Sequence, residues 1–147
     1  MWRIFREVVS GEDTYVFAAG TPESDARAYW FGPGVSSFVA VSGDEIMGMY
    51  KLVANFRDLG SHVANASFMV STRARGQGIG RAMGLAALEE ARARGFLAMQ
   101  FNFVVSTNTA AVSLWQSLGF QIVGTLPKAF RHRQLGLVDA YVMHRFL

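Results

Sequence analysis

The sequence predicts an α/β fold with helices packed on a mixed sheet, and three observations carry that prediction. Apolar, β-favouring runs cluster before residue 70 and recur at the end of the chain. Between them stand two stretches with a helical apolar period, each closed by glycine, so the order reads strands, helix, strand, helix, strands. The third is bulk: 147 residues, 51% hydrophobic and 17% charged, are enough to fill one core and too apolar for disorder.

Each element follows from its residues. "WRIFREVV" reads as a first strand, and "TPESDARAYWFG" as a short helix, with Thr21 able to cap, Pro22 suited to the first turn, and Glu23 and Asp25 suited to the N-terminal dipole. "SSFVAVS" and "IMGMYKLVANF" flank the turn "GDE" as a hairpin, and "VANASFMV" is a further strand. In "GIGRAMGLAALEEARARG", Met83, Ala87 and Ala91 recur four apart, Leu88 widens the stripe, Glu90 and Arg94 can pair, and Gly95 can end the helix. "FLAMQFNFVV" is apolar enough for a strand covered on both faces, where alternation sends Phe101, Phe103 and Val105 one way and Asn102, Val104 and Ser106 the other. "TNTAAVSLWQSLG" places Ala111, Leu114, Trp115 and Leu118 on one helical side, and "FQIVGTLP" and "LVDAYVMHRFL" are closing strands.

Composition bounds the function. We expect one domain over residues 1–147, with no repeat or linker. Cysteine is absent and the three histidines are scattered, which excludes a thiol nucleophile and leaves no metal-ligand spacing. The N-terminus does not resemble a signal peptide and no apolar run nears the ~20 residues of a membrane span, so a cytoplasmic protein with no membrane partner is expected. Fourteen basic against eleven acidic residues give a net charge of +3, a mild excess that does not imply nucleic acid.

The stretch "ARGQGIG", residues 74 to 80, stands between an apolar strand and a helix. Such a turn exposes consecutive backbone N–H groups beside the positive end of a helix dipole, a geometry that holds phosphate. Glycines 76, 78 and 80 permit positive φ and close approach, and Arg73, Arg75 and Arg81 add charged donors. A Walker loop is excluded because Gly80 is followed by Arg81 and Ala82. A dinucleotide fingerprint is excluded because its last glycine would fall on Arg81 or Met83. What remains is Arg75-x-x-Gly78-x-Gly80.

That pattern resembles the coenzyme A pyrophosphate motif of the GNAT family of acyl-CoA N-acyltransferases, and "NTAAVSLWQSLGF" (Asn108 to Phe120) resembles the family's next motif. The resemblance covers roughly residues 36 to 147, and further detail in "FNFVVSTN" and "VGTLPKAF" is similar to a small-molecule N-acetyltransferase branch. It implies a mostly antiparallel mixed sheet, helices on both faces and a splayed strand pair holding the co-substrate, acetyl-CoA. By position, Phe68, Met69 and Val70 would pair with the pantetheine arm. Backbone N–H groups of Arg75, Gly76, Gln77, Gly78, Ile79, Gly80 and Arg81 would hold the pyrophosphate, and Asn108 and Trp115 would lie near the thioester. No metal is implied.

The resemblance also implies direct attack of a neutral amine on the thioester, which requires orientation, proton acceptance and a donor for the leaving thiolate. The family's usual donor is a tyrosine where this chain has Trp115, and an indole N–H is not an acid at neutral pH. Tyr141 or a water are alternatives. Asp139, inside a closing strand, is the least ordinary carboxylate, either a base or the partner of Arg131 or Arg133. Asn102 is either a donor at the thioester carbonyl or an amide tying backbones together within the sheet.

The acceptor pocket is expected from "AYWFGPG", "NFRDLGSH" and the loop "KAFRHRQLG". Tyr29, Trp30, Phe56 and Phe130 would supply a wall, and Arg131 would supply a site for a carboxylate. The expected acceptor is a small-molecule amine such as an amino acid or an amine toxin. The alternatives are a protein N-terminus or lysine, or an acyl-CoA sensor without turnover. A homodimer through the C-terminal strands is expected.

Overall fold

The computed structural model describes residues 1–147. The chain opens with helix α1 (Trp2–Val9) and helix α2 (Glu23–Phe31), followed by strands β1 (Ser36–Ser42), β2 (Glu45–Ala54) and β3 (Val63–Val70). Helix α3 (Ile79–Ala93), strand β4 (Ala98–Val105), helix α4 (Thr109–Ser117), and strands β5 (Gln121–His132) and β6 (Gly136–Phe146) complete it. The six strands form one sheet in the order β1-β2-β3-β4-β6-β5, antiparallel everywhere except between β3 and β4.

The expected first strand is instead α1. Ile4, Phe5, Val8 and Val9 are all buried, and their spacing of one, three and one residues draws a single helical stripe. That stripe packs with Ala26, Trp30, Met49 and Met69 into a core on one face of the sheet. Burying side chains of this size stabilises by about 1.5–3 kcal/mol each, enough to override the β preference of Ile, Phe and Val in so short a segment. On the opposite face α3 and α4 pack against the sheet; Met83, Ala87, Leu88 and Ala91 are buried as their spacing predicts, and Trp115 and Leu118 join them. Glu90 and Arg94 form the expected ion pair, at 2.7 Å.

Four local expectations are corrected. Thr21 does not cap α2, because its hydroxyl turns back to donate to the Ala18 carbonyl. Gly80 lies within α3 and lacks positive φ, unlike Gly76 and Gly78. The loop expected at residues 128–136 contracts to a turn, since β5 runs to His132.

The fourth concerns β4, whose alternation breaks at an irregularity between Phe101 and Val104. Phe101 and Val104 therefore enter the same core, and Asn102 is exposed rather than buried.

No helix is long and apolar enough to cross a membrane.

Candidate active site

The sheet opens in its middle. β3 and β4 pair only at Val63–Ala98 and Ala64–Met99, and from there the two strands diverge, so the remaining β3 edge has no strand partner on that side. Two adjoining clefts flank the opening. The smaller, of about 240 Å³, is lined by residues 65–68 of β3 and 101–105 of β4 with Tyr29. The larger, of about 640 Å³, runs from Phe68, Met69 and Val70 along the turn at residues 74–81 to the start of α4. Thr14, Tyr15, Phe68, Asn108, Ala111 and Trp115 line both.

The turn is built from its glycines. Gly76 and Gly78 have φ of 75° and 77°, a left-handed backbone that other residues rarely adopt. The N–H groups of Arg75, Gly76, Gly78, Ile79, Gly80 and Arg81 find no backbone acceptor, whereas Gln77 donates to the Ala74 carbonyl and its side chain to that of Arg73. Six free donors at the N-terminus of a 15-residue helix form a cradle for a multiply charged anion. Arg81 reaches across to the Ser117 hydroxyl at 3.0 Å, which joins the cradle to the end of α4. At the other side Glu7 of α1 accepts from Ser71 Oγ (3.0 Å) and Thr72 N (3.2 Å), so the first helix fixes the start of the turn.

At the junction of the clefts, Asn108 caps α4, its Oδ1 accepting from Ala111 N at 3.2 Å. Trp115 is buried against Phe68 and Phe101, at ring separations of 4.7 and 4.9 Å. Thr107 lines the larger cleft with its buried hydroxyl unpartnered.

Of the catalytic candidates, Asn102 lines the smaller cleft and exchanges hydrogen bonds with Asn55 (3.2 and 2.7 Å), while Gln100 donates to its Oδ1. Asp139 and Tyr141 lie outside both clefts. Asp139 accepts from Lys128 N at 2.8 Å, where Lys128 has positive φ in a bulge of β5, and Tyr141 packs against the core.

The acceptor candidates scatter. Tyr29 lines the smaller cleft. Trp30 is 2% exposed and belongs to the core under α1. Phe56 is exposed on its loop, and Phe130 and Arg131 line a different cleft, with Glu12 and Phe17.

Sequence reasoning missed Tyr15, whose hydroxyl donates to the Phe68 carbonyl at 2.6 Å, on the strand expected to meet the pantetheine arm. Burial, with Tyr29 nearby, pushes its phenol well above the usual range. Ser67 was missed too; its Oγ shares a 2.6 Å hydrogen bond with the Tyr29 hydroxyl. Behind Tyr29 lies Lys51, its Nζ 3.1 Å from the ring centroid and donating to the Tyr29 carbonyl, with its pKa lowered to about 8 by burial. None of these neutral or isolated residues has a spacing signature; only the tertiary fold collects them.

The chain is 36% identical over 98 residues to the N-acetyltransferase aca1 of Schizosaccharomyces pombe, covering 66% of this chain and 47% of that protein, so it spans about half the length of that relative. Its fold superposes on a GCN5-related N-acetyltransferase from Kribbella flavida with a TM-score of 0.94 and 45% identity, over 100% of this chain and 90% of the other. It also superposes on a phosphinothricin acetyltransferase from Sinorhizobium meliloti, solved in complex with AcCoA, with a TM-score of 0.82 and 25% identity, over 99% and 80%. The model of the acetyltransferase (GNAT) family matches residues 2–120, across the splayed strands, the glycine turn and α4, and the chain belongs to that family.

Proposed function

We propose that this chain transfers the acetyl group of acetyl-CoA to the amine of a small molecule. The observation that carries the reading is the opened β3–β4 pair ending at six unsatisfied N–H groups. Such donors suit a pyrophosphate, and the unpaired β3 edge at Phe68, Met69 and Val70 suits a strand-like amide arm beside it. The larger cleft then takes the coenzyme, with Asn108 and Thr107 at its inner end, and the smaller cleft takes the acceptor. About 240 Å³ suits a compact molecule better than a protein segment.

Acetyl-CoA supplies an activated carbonyl and a good leaving group. The protein's part is chiefly placement, which can supply several kcal/mol of the barrier. Tyr15 lines both clefts and is protonated at neutral pH, where a phenol of ordinary pKa, about 10, already holds its proton and burial shifts it further up. A thiolate of ordinary pKa, about 8.5, leaves without full protonation, so a hydrogen bond from the Tyr15 phenol, turned from the Phe68 carbonyl to the sulfur, suffices where Trp115 cannot serve. We further propose that the chain acts as a homodimer joined through its C-terminal strands.

The test is release of free CoA thiol from acetyl-CoA with a broad panel of small amines. Amine-dependent release is expected. Tight acetyl-CoA binding with no release across the panel overturns the enzyme reading and favours a sensor.

A further inference from the structure

The smaller cleft is electrically unusual for a site that must receive an amine. None of its sixteen lining residues carries a charge. Its polar side chains are chiefly amides and hydroxyls: Asn65, Asn102, Asn108, Thr14, Tyr15 and the Ser67–Tyr29 pair. Asn65 and Asn102 both donate to Asn55 Oδ1, at 3.1 and 2.7 Å, so the amides form one neutral cluster joining β3, β4 and the residue just after β2. The charge that backs this wall is a cation, the Lys51 ammonium stacked on Tyr29. Asp13, a carboxylate on the same loop as Thr14, lines the larger cleft, which Arg75 and Arg81 also line, and not the smaller one. An ammonium entering the smaller cleft would lose its hydration to a wall without a counter-ion, at a cost that only pairing offsets. A neutral amine faces no such cost, and aromatic faces at Phe101, Phe103 and Trp115 suit a flat ring.

From this we infer that the acceptor is a compact, uncharged molecule of about one ring whose amine is weakly basic, such as an aromatic amine bearing a neutral amide. The inference rests on the acetyltransferase reading above and adds the acceptor's charge and basicity to it. In the reaction a neutral R–NH2 forms the N–C bond as the C–S bond breaks. The bonding pair leaves on sulfur, and the one proton that nitrogen loses ends on the thiol through water. An alkylamine with lysine's ordinary pKa of about 10.4 offers less than about one part in a thousand of this form at pH 7, and the cleft has no carboxylate or imidazole base to take the proton from the rest.

The test uses a matched pair, 4-aminobenzamide and 4-(aminomethyl)benzamide, which share ring and amide and differ in amine basicity. Thiol release is followed from pH 6 to 9. The aromatic amine is expected to have the higher kcat/KM at pH 7 by about tenfold or more, with a flat pH profile; the benzylic amine is expected to rise steeply with pH. Asn102→Asp is expected to reverse the preference. Residue 102 is exposed, and Asn55 and Gln100 already donate to its Oδ1, so a carboxylate keeps those two bonds, gives up the Nδ2 donation to Asn55 Oδ1, and supplies the missing counter-ion. Equal or better turnover of the benzylic amine at pH 7 overturns the inference. So does turnover of cationic alkylamines alone, which leaves the acetyltransferase reading intact. Failure to bind acetyl-CoA sinks both.

Discussion

Gly78 concentrates the cradle's requirements in one residue. It is the N-cap of α3, has φ of 77°, and a Cβ built there meets nothing within 4 Å in the free protein. Conformation rather than crowding therefore demands glycine, since a left-handed backbone costs an L-residue about 1–2 kcal/mol and a β-branched one more. Gly78→Val is expected to turn the free N–H groups of residues 78–81 out of register and to raise the acetyl-CoA dissociation constant at least tenfold, about 1.4 kcal/mol. Gly95→Val is the control: φ there is 80°, the space is equally open, and the residue lies beyond the far end of α3. It should lower the melting temperature without changing affinity. Calorimetric titration of both variants decides the placement, and an unchanged constant in folded Gly78→Val refutes it.

Among the elements, α1 has the least obvious bearing on the site and a direct connection to it. Its Glu7 carboxylate accepts from Ser71 and Thr72 at the start of the cradle turn. Burial pushes that carboxyl up, but those hydrogen bonds and the charge of Arg3 outweigh it and hold the pKa below the usual value. A depressed folded pKa contributes stability above the unfolded value, near 4.3, that is lost as pH falls through the folded one. Glu7→Gln should thus lower the melting temperature at pH 7 by a few degrees, and the gap from the parent should narrow as pH falls below the unfolded value and through the lower folded one. A gap independent of pH would remove the carboxylate's charge from the explanation.

The same helix shows where sequence reading stops. Trp2, Ile4, Phe5, Val8 and Val9 favour strands locally, and only their burial against Met49 and Met69 makes the helix. The glycine turn was legible because phosphate binding imposes glycine at fixed spacing. α3 was legible because 15 residues repeat its stripe several times. The acceptor cleft was not, because Tyr15, Asn65 and Ser67, and Asn102 come from three separate stretches and are common neutral residues. The bulge that exposes Asn102 inserts no distinctive residue, so alternation alone sent its amide inward.

For the whole molecule, the sheet order leaves β1 and β5 as edges. Arg94, at the end of α3, hydrogen bonds Ser36 Oγ on β1 at 2.7 Å and lies over the Phe38 ring. β5 instead presents Ile122, Val123 and Leu126 at 39%, 58% and 38% exposure. Farther along, Pro127 lacks an N–H and Lys128 sits in a bulge with positive φ, features that interrupt ladder pairing with another chain. A second copy is therefore expected to meet residues 121–126 through side chains about a two-fold axis, each apolar patch covering its twin. Light scattering at micromolar concentration should give twice the 16.1 kDa chain mass. Val123→Lys should halve it while preserving the fold and acetyl-CoA affinity, because Val123 lines neither cleft. A monomeric mass for the parent rules the dimer out, and a dimer that survives Val123→Lys moves the interface away from β5.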